Sequence, residues 1–139
     1  MATVSAQNQS KQNQGKKFIN IPSERKKPPF SDAVLVGETL YLSGHIGLDK
    51  DNKVPADAEA EARLVLQKFD ATLKAAGMGL DDLVYVQIFC SDVSNFDAWN
   101  KVYREMFKEG QYPARAFIGS GKLLFDARFE IQGIAVKKK

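Results

Sequence analysis

One cysteine and one histidine occur among 139 residues. A single thiol excludes a disulfide framework within the chain and suits a reducing compartment. With only one histidine beside it, a zinc site built by one chain is left short of ligands, and no metal is expected. No apolar run approaches the length of a membrane span, so no membrane partner is expected. No apolar segment follows the first charges either, so a secretory signal peptide is not expected and the expected location is the cytoplasm.

What is present is an ordinary globular composition, 44% hydrophobic, in a length that suits one hydrophobic core. The net charge of +3 is unevenly spread. Residues 1–27 carry Lys11, Lys16, Lys17, Arg25, Lys26 and Lys27 against Glu24, which gives +5, and the last three residues are lysine. Taking these +5 and +3 from the total of +3 leaves −5 for residues 28–136. The body of the chain is therefore acidic, which argues against a nucleic-acid partner.

Residues 1–17 are rich in Gln, Asn, Ser and Lys and read as a flexible tail ahead of one domain over 18–139. Phe18 to Ile21 is a short strand candidate ended by Pro22, and Ser23 to Pro29 is a charged loop. Ala33–Val36 and Thr39–Ser43 flank Gly37-Glu38, a hairpin signal. Gly44 and Gly47, so close together, mark a bend where backbone comes near something. A helix is expected from after Pro55 to about Ala76, with Ala62, Leu66, Phe69, Leu73 and Ala76 as its apolar stripe and charges opposite. Gly77 and Gly79 end it. Leu83–Cys90 reads as a strand. A second helix spans about Asn95 to Lys108, with Ser94 as N-cap, Phe96, Trp99, Tyr103 and Met106 buried, and Gly110 as its stop. Ala114–Ser120 and Ala127–Val136 complete the order β-β-β-α-β-α-β-β. Such an order predicts an α+β layer, a mixed sheet with both helices on one face. The bare face then calls for a second copy of the chain.

The stretch Tyr112 to Lys137 places charge inside two otherwise apolar strands. Side chains alternate along a strand, so Arg115, Phe117 and Gly119 share one face of the first. Arg128, Glu130, Gln132 and Ile134 share one face of the second, opposite Phe129, Ile131, Gly133 and Ala135. Arginine in a strand usually lies on a wet face, and from pattern alone that is the better reading of Arg115, as a solvent-facing carboxylate beside Arg128 is of Glu130. The alternative is that Arg115 offers its forked guanidinium to a substrate carboxylate.

The set Leu42-Ser43-Gly44, Val54-Pro55-Ala56-Asp57, Ala75-Ala76-Gly77, Phe96 with Asn100 and Tyr103, Tyr112-Pro113-Ala114-Arg115 and Glu130-Ile131, in that order, resembles the RidA family of reactive-intermediate deaminases from about Phe18 to the end. The resemblance implies a chorismate-mutase-like α+β sandwich. It also implies a homotrimer with its site between subunits and hydrolysis of small 2-imino acids to 2-keto acids and ammonia, without metal or cofactor. Arg115 then corresponds to the family's carboxylate-binding arginine and Glu130 to its acidic residue at the water. Ser43 and Gly44 match the segment lining the cleft, and Asn100 matches a position near it. Phe30 stands where the family's deaminases usually carry tyrosine, and Phe117 where they carry cysteine. Both are expected at the substrate, Phe30 without a hydroxyl and Phe117 filling the space of a thiol. His45 replaces a more common glutamine.

Two other classes stay open at this point. One is a non-catalytic protein of the same fold that binds a 2-keto or amino acid. The other is an RNA-interacting translation inhibitor or ribonuclease, which only the basic ends favour. His45 reads as a structural or surface residue ahead of a catalyst near the cleft, Cys90 as a small core hydrophobe, and Trp99 and Tyr103 as core residues.

Overall fold

The computed structural model of the chain describes residues 15–23 and 26–139. Six strands, β1 (Lys16–Ile19), β2 (Ala33–Val36), β3 (Thr39–Ile46), β4 (Leu83–Cys90), β5 (Ala114–Gly119) and β6 (Phe129–Val136), and two helices, α1 (Ala58–Ala75) and α2 (Phe96–Met106), make up its regular structure. The strands form one sheet in the order β1-β2-β3-β6-β4-β5. Only β4 and β5 run parallel; every other neighbouring pair is antiparallel. This is the expected mixed sheet, and β1 begins ahead of the expected domain boundary at residue 17. Lys16 and Lys17 already pair with Val36 and Leu35, while residues 1–14 lie outside the described residues.

The apolar pattern dictates the layers. Phe129, Ile131, Gly133 and Ala135 of β6 are all buried, and the residues between them are not. The buried side meets Val65, Leu66, Phe69 and Leu73 of α1 and Trp99 and Val102 of α2. Asp57 opens α1 by accepting a hydrogen bond from Ala60 N–H at 3.0 Å. Gly77 closes it at φ +75°, with Met78 N–H bound to Leu73 O at 2.9 Å. The hairpin at Gly37 forms as expected, Val36 facing Thr39 across it.

Two boundary expectations are corrected. Ser94 does not cap α2; Asp92 accepts from Ser94 N–H at 2.9 Å and starts a 3-10 turn, Val93–Asn95, ahead of the helix. The helix also ends at Met106, where Phe107 becomes extended, before Gly110 is reached. The expectation of charges opposite the α1 stripe fails at Glu61, which is fully buried.

His45 is structural, as its isolation suggested. Its Nδ1 lies 2.6 Å from Ser43 O and its Nε2 2.8 Å from Thr72 Oγ1, with Phe69 against the ring edge. A carbonyl only accepts, so Nδ1 carries the hydrogen and Nε2 accepts from the threonine in the neutral ring. Burial holds its pKa below the ordinary histidine value. The unfolded chain therefore takes up a proton before the folded one, and stability falls as pH drops through about 6.5 and levels off below the folded pKa. Thermal unfolding between about pH 5 and 7 should show this slope in the wild type and a flatter profile in His45→Gln.

Candidate functional site

The sheet sorts the expected site residues into two groups. Directly paired residues share a face. Arg115 pairs with Val86, and Val86 with Gly133; Phe117 pairs with Ile88, and Ile88 with Ile131. Arg115 and Phe117 therefore lie on the helix-covered side, at the edge strand β5. Glu130 pairs with Phe89, and Phe89 with Ile118, on the opposite, open side. A single chain does not bring Arg115 and Glu130 together.

The first group gathers around Glu130. The pairing of β3 with β6 slips between Leu42 and His45, which is a bulge. It pushes the backbone of Gly44 against the carboxylate: a Cβ at Gly44 would stand 2.5 Å from Glu130 Oε1. Any side chain there would push the Glu130 carboxylate aside, and the close approach of backbone is what the pair of glycines in the sequence signalled. Ser43 is held from the other side. Its hydroxyl donates to Ser31 O at 2.5 Å and its N–H to Asp32 O at 2.9 Å. Asp32 in turn accepts from Ile21 N–H at 2.7 Å, so the segment after Phe30 is strapped between β1 and β3. Phe30 itself is exposed.

An open cleft of about 580 Å³ adjoins Glu130, lined also by Lys122, Leu123, Leu124, Phe125 and Asp126. Phe125 and Asp126 take the left-handed conformation at φ 59° and 54°, which non-glycine residues adopt only when held there. This loop carries no motif, and sequence reasoning passed over it. Burial raises the Glu130 pKa above its ordinary value. A carboxylate so tuned accepts a proton from water more readily than an exposed one.

The second group surrounds Arg115. The centre of its guanidinium lies 4.9 Å from the ring centroid of Tyr103 and 5.8 Å from those of Phe96 and Phe117. Phe96 and Phe117 meet edge to face at 4.9 Å, and Tyr103 stacks on Tyr112. The three rings hold the cation by their faces. They leave its N–H groups without a partner: among the described residues, none accepts a hydrogen bond from it. Burial pushes the Tyr103 hydroxyl up to about 12, against the pull of Arg115, so the phenol stays neutral. Asn100 is buried one turn from Phe96 and adjoins this group through α2.

Cys90 is free and buried, and burial raises its thiol pKa, which suits a core residue. Arg128 is not beside Glu130 as a surface pair. It turns back to the buried Glu61 at 2.8 Å, a partnership the sequence reading missed. Glu61 sits one turn before Val65 on the buried side of α1, so a wider stripe would have included it. Among the described residues, no group of three or more His, Cys, Asp or Glu side chains is gathered as a metal site requires.

Replacing Glu130 tests its environment. A raised folded pKa means that ionisation opposes folding, fully so above that pKa and not at all below the unfolded value. Glu130→Gln should melt at a higher temperature than wild type at pH 7. The difference should shrink as pH falls through the folded Glu130 pKa, followed by thermal unfolding across about pH 4 to 7.

Comparison with known proteins agrees with the motifs. A protein of Drosophila melanogaster named RutC family protein UK114 is 38% identical over 124 residues, covering 87% of this chain and 89% of that one. The 2-iminobutanoate/2-iminopropanoate deaminase of Dermatophagoides farinae is 36% identical over 124 residues, covering 87% and 96%. The crystal structure of Escherichia coli TdcF with bound serine superposes with a TM-score of 0.80 at 31% identity, over 88% of this chain and 99% of that one. Residues 24–137 match the family described as Endoribonuclease L-PSP, and with these relatives the chain belongs to that family, the one its motifs resemble as RidA.

Proposed function

We propose that this protein hydrolyses small 2-imino acids to 2-keto acids and ammonia. The observation that carries this reading is Arg115, a half-buried guanidinium framed by three rings with no acceptor among the described residues. An arginine placed this way suits a carboxylate, bound by two parallel charge-assisted bonds that fix its plane. Relatives named as 2-iminobutanoate/2-iminopropanoate deaminases support the same class of substrate.

The chemistry asks little of the protein. The carbon of a protonated imine is already electrophilic, so the site must hold the carboxylate, place a water and move protons. Glu130 accepts a proton as the water oxygen bonds to the imine carbon, and the π electrons of the C=N bond pass to nitrogen. In the tetrahedral adduct, the proton returns from Glu130 to nitrogen. The C–N bond then breaks with its electron pair going to nitrogen, the hydroxyl oxygen closes the carbonyl as its proton passes back to the Glu130 carboxylate, and ammonia leaves and takes up that proton as ammonium. No electrons enter or leave the system.

Since one chain holds Arg115 and Glu130 on opposite faces of its sheet, the reading requires a second copy. The open face supports this: Phe18, Tyr41 and Ile118 are exposed on it, with Tyr85, Phe89 and Ile134 partly so. A homotrimer would cover that face and set Arg115, Phe117 and Asn100 of one subunit against Phe30, Ser43, Gly44 and Glu130 of the next. Ribonuclease chemistry finds less support. Both nitrogens of the single histidine are engaged in the core. The buried, free Cys90 suits a cytoplasmic setting.

Generating imines in situ with an amino acid oxidase, against semicarbazide as competing trap, tests the activity. Wild type should suppress semicarbazone formation, and Arg115→Ala should lose about ten- to a hundredfold in kcat/KM, the worth of a charged hydrogen-bond pair. A wild type inert toward every imine tried would sink the reading. The shared site has its own test. Arg115→Ala and Glu130→Gln, each impaired alone, should regain activity when unfolded and refolded together. Random trimers would carry both intact residues at about a quarter of their sites, and no recovery would mean that one chain supplies both.

A further inference from the structure

Glu61 is fully buried, carries a charge, and has no part in the reaction just described. Its two carboxylate oxygens are saturated by one short stretch of chain. Oε2 accepts from the backbone N–H groups of Arg128 at 2.7 Å and Phe129 at 3.1 Å, and Oε1 accepts from Arg128 Nη1 at 2.8 Å. The same guanidinium donates to Pro55 O at 2.9 Å and Ala56 O at 2.8 Å. The backbone N–H groups that Glu61 occupies stand at the very start of β6, and the next residue is Glu130. Gly47, the residue after β3, closes the arrangement: a Cβ there would lie 2.9 Å from Glu61 O, so the exit of the strand that carries Gly44 also rests on this turn of α1.

Three segments thus converge on one turn of α1: the exit of β3, the strand whose Gly44 meets the Glu130 carboxylate; the loop ahead of α1, held through Arg128; and the end of the loop that lines the cleft beside Glu130. That loop is the strained one, with Phe125 and Asp126 in the left-handed region and Leu124 and Phe125 exposed, so its own packing does little to hold it. We propose that Glu61, acting through Arg128 and the backbone of Phe129, is the positioning residue that fixes Glu130 and the adjoining cleft loop. The proposal rests on the reading of Glu130 as the group that handles water. Only a carboxylate serves. Three donors converge on two oxygens, and a glutamine would turn an NH₂ against either the backbone N–H groups or the guanidinium.

The test compares wild type with Glu61→Gln and with the double variant Glu61→Met/Arg128→Met. The double variant removes both buried charges and leaves neither unpaired, so a role confined to charge balance would leave it like wild type. Two readouts are taken: kcat and KM in the imine assay, and amide hydrogen exchange over residues 121–131 against residues 83–90. Both variants should exchange at least about tenfold faster over 121–131 and at the wild-type rate over 83–90. Their kcat should fall by about tenfold or more with KM within about twofold, since Arg115 on β5 is untouched. Arg128→Lys keeps the charge and both backbone contacts to Glu61. It should loosen the same segment to a smaller degree and decides the matter if the Glu61 variants do not fold. Wild-type exchange over 121–131, or a change in KM with kcat intact, would overturn the proposal. Should wild type itself prove inactive on imines, the functional reading falls. The exchange data then decide alone whether Glu61 holds this segment.

Discussion

The alternation of side chains across β6, β4 and β5 governs what this molecule can do. Helices cover one face of the sheet and pack most of its side chains into the core, leaving Arg115 half-buried at the β5 edge, while the other face is open. Arg115 and Glu130 are fifteen residues apart in sequence, yet the pairing through Val86 and Phe89 assigns them to different sides. A small ligand of a few ångströms cannot reach both within one chain. The assembly of copies is therefore part of the chemistry under the proposed function, not an addition to a finished active site.

Under the proposed function, the two half-sites solve different physical problems. Around Arg115 the need is to keep a cation available while partly removed from water. Ring faces do this because they attract the charge without consuming the N–H donors that a carboxylate would use. Around Glu130 the need is reversed. Burial makes the carboxylate a stronger base and opposes its ionisation, so the protein must hold it in place by force of surrounding structure. The Gly44 backbone does so on one side and the start of β6 on the other. A site of this kind stores some of the folding free energy, which is why removing the charge should stabilise the fold.

Much of this was legible in the sequence, for reasons that differ by element. Ala33–Val36 and Leu83–Cys90 could be bounded to the residue because β-branched runs ended at turn residues. The α1 stripe was readable because a helix packed on one sheet face must repeat its apolar residues at fixed intervals. Alternation gave the buried and open sides of β6. The start of α2 was less legible: Asp92 and Ser94 both suit a cap, and the 3-10 turn between them is a local choice that tertiary packing makes. Glu61 escaped because charge is normally the mark of an outer face, and only a partner sixty-seven residues away reverses that rule. Residues 121–126 escaped because their shape comes from what clamps their ends, not from their own propensities.

Phe117 shows how the two levels meet. As a strand residue it faces the helices and packs edge to face with Phe96, so it belongs to the fold. As a neighbour of Arg115 on the same strand face it is also part of the frame around the cation. A thiol at this position could approach a ligand; a phenyl ring can only bound it. Under the proposed function, the ring would shift the work of binding onto the guanidinium and the work of proton transfer wholly onto the Glu130 side, as would Phe30, which brings a ring without a hydroxyl. With neither a thiol nor a phenol available at these two positions, the orientation of one carboxylate carries the proposed reaction, and whatever holds that carboxylate still acquires a corresponding importance.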